Sequence, residues 1–98
     1  MEKRVVITGL GTINPIGNDV HSTWAGIENG KCGIDEITLF DNSNLKTKLV
    51  AEVKDYDASK YLDVKQSKRL DRSSQFALIA AREALKDSGI TEENTDYN

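Results

Sequence analysis

Residues 4–18 read RVVITGLGTINPIGN and carry the strongest secondary-structure signal of the chain. They begin with three consecutive β-branched residues, Val5–Ile7, which are typical of a short strand buried on both faces of a sheet. Glycines and a proline then interrupt the chain, and Asn18 or Asp19 is placed to cap a following helix. The stretch therefore predicts a strand, a turn and a helix, which is the way an α/β protein begins.

The next two elements are predicted from the spacing of hydrophobic residues along the chain. The first helix places Val20, Trp24 and Ile27 on one face and ends at Gly30, so we expect Trp24 to pack that helix onto the sheet. After a stretch without a period, residues 49–54 alternate between two faces, with Leu49, Ala51 and Val53 on the apolar one. This is the pattern of a half-buried strand.

The second half of the chain is predicted to be helical. Residues 57–62 favour one helical turn, and a charged stretch then leads to a long helix capped by Asp71 or Ser73 and ended by Gly89. Its buried side is predicted to consist of Phe76, Ile79, Ala80, Ala84 and Leu85. Two strands cannot form a parallel sheet covered on both faces, so we expect the natural polypeptide to be longer.

Composition excludes several classes of function. The chain has 98 residues and a net charge of −3, which argues against general affinity for nucleic acid or anionic membranes. No apolar run approaches the roughly 20 residues of a membrane span. A single cysteine, Cys32, and a single histidine, His21, allow neither an internal disulfide nor a Cys/His metal cluster. We therefore expect a cytoplasmic protein.

The opening stretch also resembles that of a known enzyme family, the bacterial β-ketoacyl-acyl carrier protein synthases, and most closely its synthase II branch. The resemblance continues through Thr23-Trp24, Gly30–Ile34, Phe40-Asp41, Val53–Tyr56, Lys68–Arg72 and Asp87–Gly89. It implies an α/β fold of the thiolase-like type, layered αβαβα and assembled as a homodimer. Residues 1–98 are then the amino-terminal part of the synthase N-terminal domain.

The resemblance also implies a reaction. Family members condense an acyl group with malonyl-acyl carrier protein in fatty-acid elongation, using a nucleophilic cysteine and two histidines but no metal or organic cofactor. In the family these residues follow the segment that corresponds to Asn98, and neither Cys32 nor His21 matches them. We therefore expect no catalytic residue in this chain, and no activity from the chain alone.

A positive stripe is the candidate binding site. Its residues have the spacing i, i+3, i+4 and i+7 and are Lys65, Lys68, Arg69 and Arg72. The resemblance implies that Lys65, Lys68 and Arg69 bind the acidic helix of acyl carrier protein. The alternative is a solvated helix face whose charges pair locally with Asp63 and Asp71.

Two other functions stay open. A strand followed by a glycine-rich turn suggests a dinucleotide-binding loop, and hence an NADPH-dependent short-chain reductase. The spacing argues against it, because Asn14 stands where G-x-G-x-x-G needs glycine, and Pro15 removes a backbone amide. The second alternative is a non-catalytic condensing-enzyme homologue, such as a chain-length factor, which keeps the fold and lacks the nucleophile.

Overall fold

The structure is a computed structural model that describes residues 2–94, so the predicted domain limit at residue 98 lies outside the described part. One helix is followed by two short strands, a 3₁₀ turn and two further helices. Their bounds are α1 Val20–Glu28, β1 Ile34–Glu36, β2 Leu49–Ala51, the 3₁₀ turn Ala58–Lys60, α2 Val64–Arg69 and α3 Arg72–Ser88.

The amino-terminal segment does not form the predicted strand. Val5, Val6 and Ile7 are 96%, 68% and 82% exposed, and residues 2–9 make no hydrogen bond to any other described residue. A strand exists only where a neighbouring strand can pair with its backbone groups. Within residues 2–94 the two strands pair with each other, which leaves none for this segment. The prediction of a buried strand at Val5–Ile7 is therefore wrong for this structure.

Glycines let the amino-terminal segment lie directly on α3. A Cβ atom added to Gly11 would stand 1.9 Å from the Ala80 carbonyl oxygen, and one added to Gly9 would stand 2.2 Å from that of Ala84. Both neighbours are backbone atoms of a helix, which cannot rotate away. The close approach therefore requires glycine at both positions.

Two carboxylates of α3 bind the backbone of the same segment. Asp87 Oδ2 accepts a hydrogen bond from the Leu10 N–H at 3.1 Å, and Glu83 Oε1 accepts one from Thr12 at 2.9 Å. The other oxygen of Glu83 accepts the N–H of Val20, the first residue of α1, at 3.0 Å. Glu83 therefore fixes both the turn and the start of α1 on α3.

Helix α1 begins and ends close to the predicted residues. Asp19 Oδ1 accepts the Ser22 N–H at 2.7 Å, and Ser22 Oγ accepts the Asp19 N–H at 3.3 Å, which together form a capping box. The helix stops before Asn29, and Gly30 follows with φ +69°. Trp24, however, is 61% exposed, because the strand that was expected to receive it does not form.

The two strands form an antiparallel pair rather than part of a parallel sheet. Ile34 stands opposite Ala51, and Glu36 stands opposite Leu49. Val50 is half-buried whereas Leu49 and Ala51 are exposed, which reverses the predicted faces. The sequence pattern located β2, but its partner β1 lies in a stretch without a period and was not predicted.

Helix α3 follows its prediction most closely. It is capped by Asp71 and ends at Gly89, whose φ is +71°. Its buried residues are Gln75 and Ile79, whereas Leu85, predicted to be buried, is exposed. The accessible surface is 8213 Å², against about 5500 Å² expected for a compact monomer of this mass. The apolar residues of the described part are thus far from closing a core of their own.

None of the helices within residues 2–94 combines the length and apolarity needed to cross a membrane.

Candidate functional site

The predicted binding residues lie on α2, a helix of six residues. Asp63 caps this helix by accepting the Gln66 N–H at 2.8 Å. Lys65, Lys68 and Arg69 are all exposed, and their spacing places them on one side of the helix. We call these three residues the basic surface.

Arg72 does not belong to the basic surface, although the sequence predicted a stripe of four cations. Leu70 and Asp71 have extended backbones, so α2 ends at Arg69 and Arg72 starts α3. The Arg72 guanidinium carbon lies 5.2 Å from the ring centre of Tyr56 and 5.1 Å from that of Phe76. Arg72 is therefore held on aromatic rings by cation–π contacts.

The acidic residues beside the basic surface do not neutralise it by pairing. Asp63 caps α2, and Asp71 caps α3. The pKa of Asp71 is lowered mainly by the hydrogen bond from the backbone N–H of Ser74, and further by a hydrogen bond from the Ser74 side chain. No carboxylate within residues 2–94 lies at ion-pair distance from Lys65, Lys68 or Arg69. The local pairing of the alternative is thus absent, whereas its solvated helix face agrees with the exposure of all three residues.

Gln75, which the sequence analysis missed, anchors the end of α2. Its side-chain Nε2 donates to the carbonyl oxygens of Ser67 at 3.0 Å and Leu70 at 2.9 Å, and its Oε1 accepts the Tyr56 hydroxyl at 2.6 Å. Its position four residues before the buried Ile79 is the sequence signal that places it on the inner face of α3. A polar side chain on that face needs partners, and Gln75 has three.

Tyr56 completes this anchor. Its ring packs edge-on against Phe76, with 4.9 Å between centres, and lies stacked at 6.1 Å from Tyr61. Burial raises the pKa of the Tyr56 phenol. The hydroxyl therefore stays protonated at neutral pH and can donate to Gln75.

Arg82 binds the other end of α2. Its Nη1 donates to the Tyr61 carbonyl oxygen at 3.3 Å, and its Nη2 lies 3.5 Å from Gln66 Oε1. Arg82 thus reaches from α3 to the residues around the start of α2. Gln75 and Arg82 thus hold α2 from the same helix at two points.

The glycine-rich turn does not offer an open phosphate cradle. The Asn14 side-chain oxygen accepts the backbone N–H groups of Ile16 and Gly17 at 2.9 Å and 3.1 Å. The backbone N–H groups of Leu10 and Thr12, which precede Asn14, donate to the carboxylates of Asp87 and Glu83 on α3. Five amides of the turn, those of Leu10, Thr12, Asn14, Ile16 and Gly17, thus already have protein partners and are not available to a pyrophosphate.

Cys32 and His21 stand apart from the basic surface. Cys32 is a free, exposed cysteine, with its Sγ 3.9 Å from the Ile34 carbonyl oxygen, and His21 is exposed on α1. Across the described residues, no group of three His, Cys, Asp or Glu side chains is arranged to hold a metal ion.

Comparison with known proteins connects these features to one family. Residues 2–98 match the family model described as the N-terminal domain of β-ketoacyl synthase. The chain is 46% identical over 94 residues to 3-oxoacyl-[acyl-carrier-protein] synthase 2 of Staphylococcus aureus strain COL, covering 95% of this chain and 23% of that protein. The same enzyme of Synechocystis is 46% identical over 97 residues, covering 97% and 23%.

Solved structures give the same result. The ishigamide ketosynthase/chain length factor superposes with a TM-score of 0.80 at 33% identity, covering 96% of this chain and 23% of the other. A type II polyketide ketosynthase in complex with its acyl-carrier protein superposes with a TM-score of 0.69 at 28% identity, covering 98% and 25%. The chain therefore spans about a quarter of the length of the proteins that it resembles.

Proposed function

The chain belongs to the β-ketoacyl synthase family, and from this membership we propose that the full-length protein is a β-ketoacyl-acyl carrier protein synthase of fatty-acid elongation. The observation that carries the proposal is the 46% identity, over 95% of the chain, to a 3-oxoacyl-[acyl-carrier-protein] synthase 2. The reaction moves an acyl group from an enzyme thiol to the malonyl carbon of malonyl-acyl carrier protein. The malonyl carboxylate leaves as carbon dioxide, and its bonding electrons form the new carbon–carbon bond.

The remaining family properties are part of the same proposal. The reacting cysteine and two histidines lie outside residues 1–98, which form the first part of the N-terminal domain. The complete protein has the αβαβα layers of the thiolase-like fold, is a homodimer and resides in the cytoplasm. The large exposed apolar surface, including Val5–Ile7, supports a layered fold in which further polypeptide covers it.

Within this protein, the basic surface binds acyl carrier protein. Lys65, Lys68 and Arg69 are exposed and have no carboxylate partner in the described chain. Such charges attract an acidic helix and mainly raise the rate and specificity of association. One of the solved relatives is a ketosynthase in complex with its acyl-carrier protein, which supports a partner of this kind.

The reductase alternative loses its support, since five amides of the glycine-rich turn are bonded within the protein and the relatives are condensing enzymes. The non-catalytic homologue is favoured by one observation, the similarity to a structure that contains a chain length factor.

An activity assay separates these functions. The full-length protein is incubated with acyl- and malonyl-acyl carrier protein, and the product thioester is identified by mass. We expect a 3-oxoacyl product two carbons longer than the acyl substrate, formed without NADPH. A folded protein that forms no such product, and is not acylated on any cysteine, would be the non-catalytic homologue.

A charge reversal tests the binding role. In the full-length protein, Lys65→Glu with Lys68→Glu is compared with Lys46→Glu and Lys48→Glu, an equal charge change at exposed positions before β2. We expect the first pair to raise KM for acyl carrier protein substrates about tenfold, with a smaller dependence on salt, and the control pair to have little effect. Equal effects of the two pairs would show that only net charge matters.

A further inference from the structure

Gln75 is a buried polar residue to which the proposed function gives no role. It is 8% exposed, and its amide makes three hydrogen bonds, two to the end of α2 and one to Tyr56. A buried amide of this kind needs all of its partners in place, because each unpaired group is costly once removed from water. Gln75 therefore constrains the segments that it joins.

The constrained segment is the helix that carries the basic surface. The carbonyl groups of Ser67 and Leu70 lie in and just after the last turn of α2, where a helix leaves carbonyl oxygens without internal partners. Gln75 donates to both. A six-residue helix is too short to be stable alone, so its position depends on such external bonds.

The orientation of the Gln75 amide is also determined. The Tyr56 hydroxyl donates to Oε1, and both carbonyl groups need a donor, so the NH₂ group must face the end of α2. Tyr56 is in turn held against Phe76. The anchor is thus fixed by groups that do not belong to α2.

We propose that Gln75 is a positioning residue for acyl carrier protein docking: it holds α2 so that the basic surface presents its charges in a fixed arrangement. This inference rests on the docking role proposed above. Gln75 carries no charge and is too buried to touch a partner, so it acts through α2 alone.

The test uses Gln75→Met in the full-length protein, which keeps an unbranched side chain of similar length and removes every hydrogen bond. We expect KM for acyl carrier protein substrates to rise about fivefold, with kcat unchanged. Kinetics with acyl and malonyl groups on small thioesters, which lack the carrier protein, should stay as in the wild type. The matched control is Ser73→Met, at an exposed position of α3 whose side chain makes no hydrogen bond in the described chain.

Hydrogen exchange gives a second readout that needs no activity. Backbone amides of residues 64–70 should exchange faster in Gln75→Met than in Ser73→Met. Tyr56→Phe removes a single hydroxyl and should raise both the KM for carrier-protein substrates and the exchange rate of residues 64–70, each by less than Gln75→Met does. If Gln75→Met fails to fold, Tyr56→Phe replaces it in both measurements.

The outcomes separate the inference from the docking proposal. An unchanged KM for carrier-protein substrates in a folded Gln75→Met variant overturns the positioning role, as does an equal loss with small thioesters. If Lys65→Glu with Lys68→Glu leaves KM unchanged, the docking proposal fails. In that case faster exchange in Gln75→Met would still show that the residue holds α2, and unchanged exchange would refute that as well.

Discussion

Replacing Gly11 by alanine tests whether the amino-terminal segment is fixed by direct contact with the backbone of α3. The new methyl group would stand 1.9 Å from the Ala80 carbonyl oxygen and 2.8 Å from the Ala84 nitrogen. Ordinary contact begins near 3.4 Å, so the amino-terminal segment and α3 must separate by about 1.5 Å. Both obstacles are helix backbone, and no change of side-chain rotamer relieves them.

The expected cost is large for a single methyl group. Overpacking a well-packed site costs about 1–3 kcal/mol, and a backbone obstacle places Gly11→Ala at or above the top of this range. Separation would also break the hydrogen bond between Thr12 and Glu83, which adds about 1 kcal/mol. We expect a total destabilisation of about 4 kcal/mol or more, well beyond the ~1 kcal/mol of a typical substitution.

Gly26→Ala provides the matched control. Its methyl group would stand 2.4 Å from Cγ2 of Ile16, a side-chain atom that moves only by a change of χ1, which is restricted in a β-branched residue. Gly26 lies within α1, where alanine is favoured over glycine by about 1 kcal/mol and offsets part of this clash, so we expect a net loss of about 1–2 kcal/mol, smaller than that of Gly11→Ala. Both variants are made in the full-length protein, and their urea unfolding midpoints are compared by circular dichroism. Midpoints that agree with each other would refute the backbone contact.

Three further outcomes are expected in the full-length protein. Glu83→Gln should lower the free energy of unfolding by about 1–2 kcal/mol. The two carboxylate oxygens accept the N–H groups of Thr12 and Val20, whereas an amide has only one oxygen and can accept from only one of them. An unchanged urea midpoint would contradict this. Hydrogen bonds lower the pKa of Asp71 below its usual 3.8, so its stabilising effect is complete above pH 3.8 and lost as the pH falls through the folded value. Asp71→Asn should therefore flatten the dependence of unfolding temperature on pH below about 4, and a curve parallel to that of the wild type would exclude the effect. Cys32→Ser should leave kcat unchanged, and loss of acyl-enzyme formation would place the nucleophile in this chain.

Helix limits could be predicted because their signals are local. Asp19, Asp71 and Gly89 each act on backbone groups within three residues, so the sequence around them contains the whole interaction. The strand at Val5–Ile7 could not be judged in this way. A strand forms there only if another strand, distant in sequence, pairs with it. A run of β-branched residues indicates that such pairing would be favourable, but not that the second strand is present.

The basic surface was predicted in part for a similar reason. The stripe of four cations assumed an unbroken helix from residue 65 to residue 72, yet Asp71 was itself predicted as a helix cap. A cap has extended backbone, so a cap at Asp71 breaks the stripe, whereas the predicted alternative, Ser73, leaves it intact. The structure has Asp71 as the cap, which removes Arg72 from the stripe. Gln75 is different, because its partners lie 5, 8 and 19 residues away and only their packing brings them together.

The attachment of the amino-terminal segment to α3 has a consequence for synthesis on the ribosome. Leu10 and its partner Asp87 are 77 residues apart, so at about 5–20 residues per second the carboxylate is made about 4–15 s after the amide. Throughout that interval the nascent segment around Leu10 and Thr12 has no attachment site on α3. The neighbouring Val5–Ile7 run is then open to chaperones and to strands of neighbouring nascent chains.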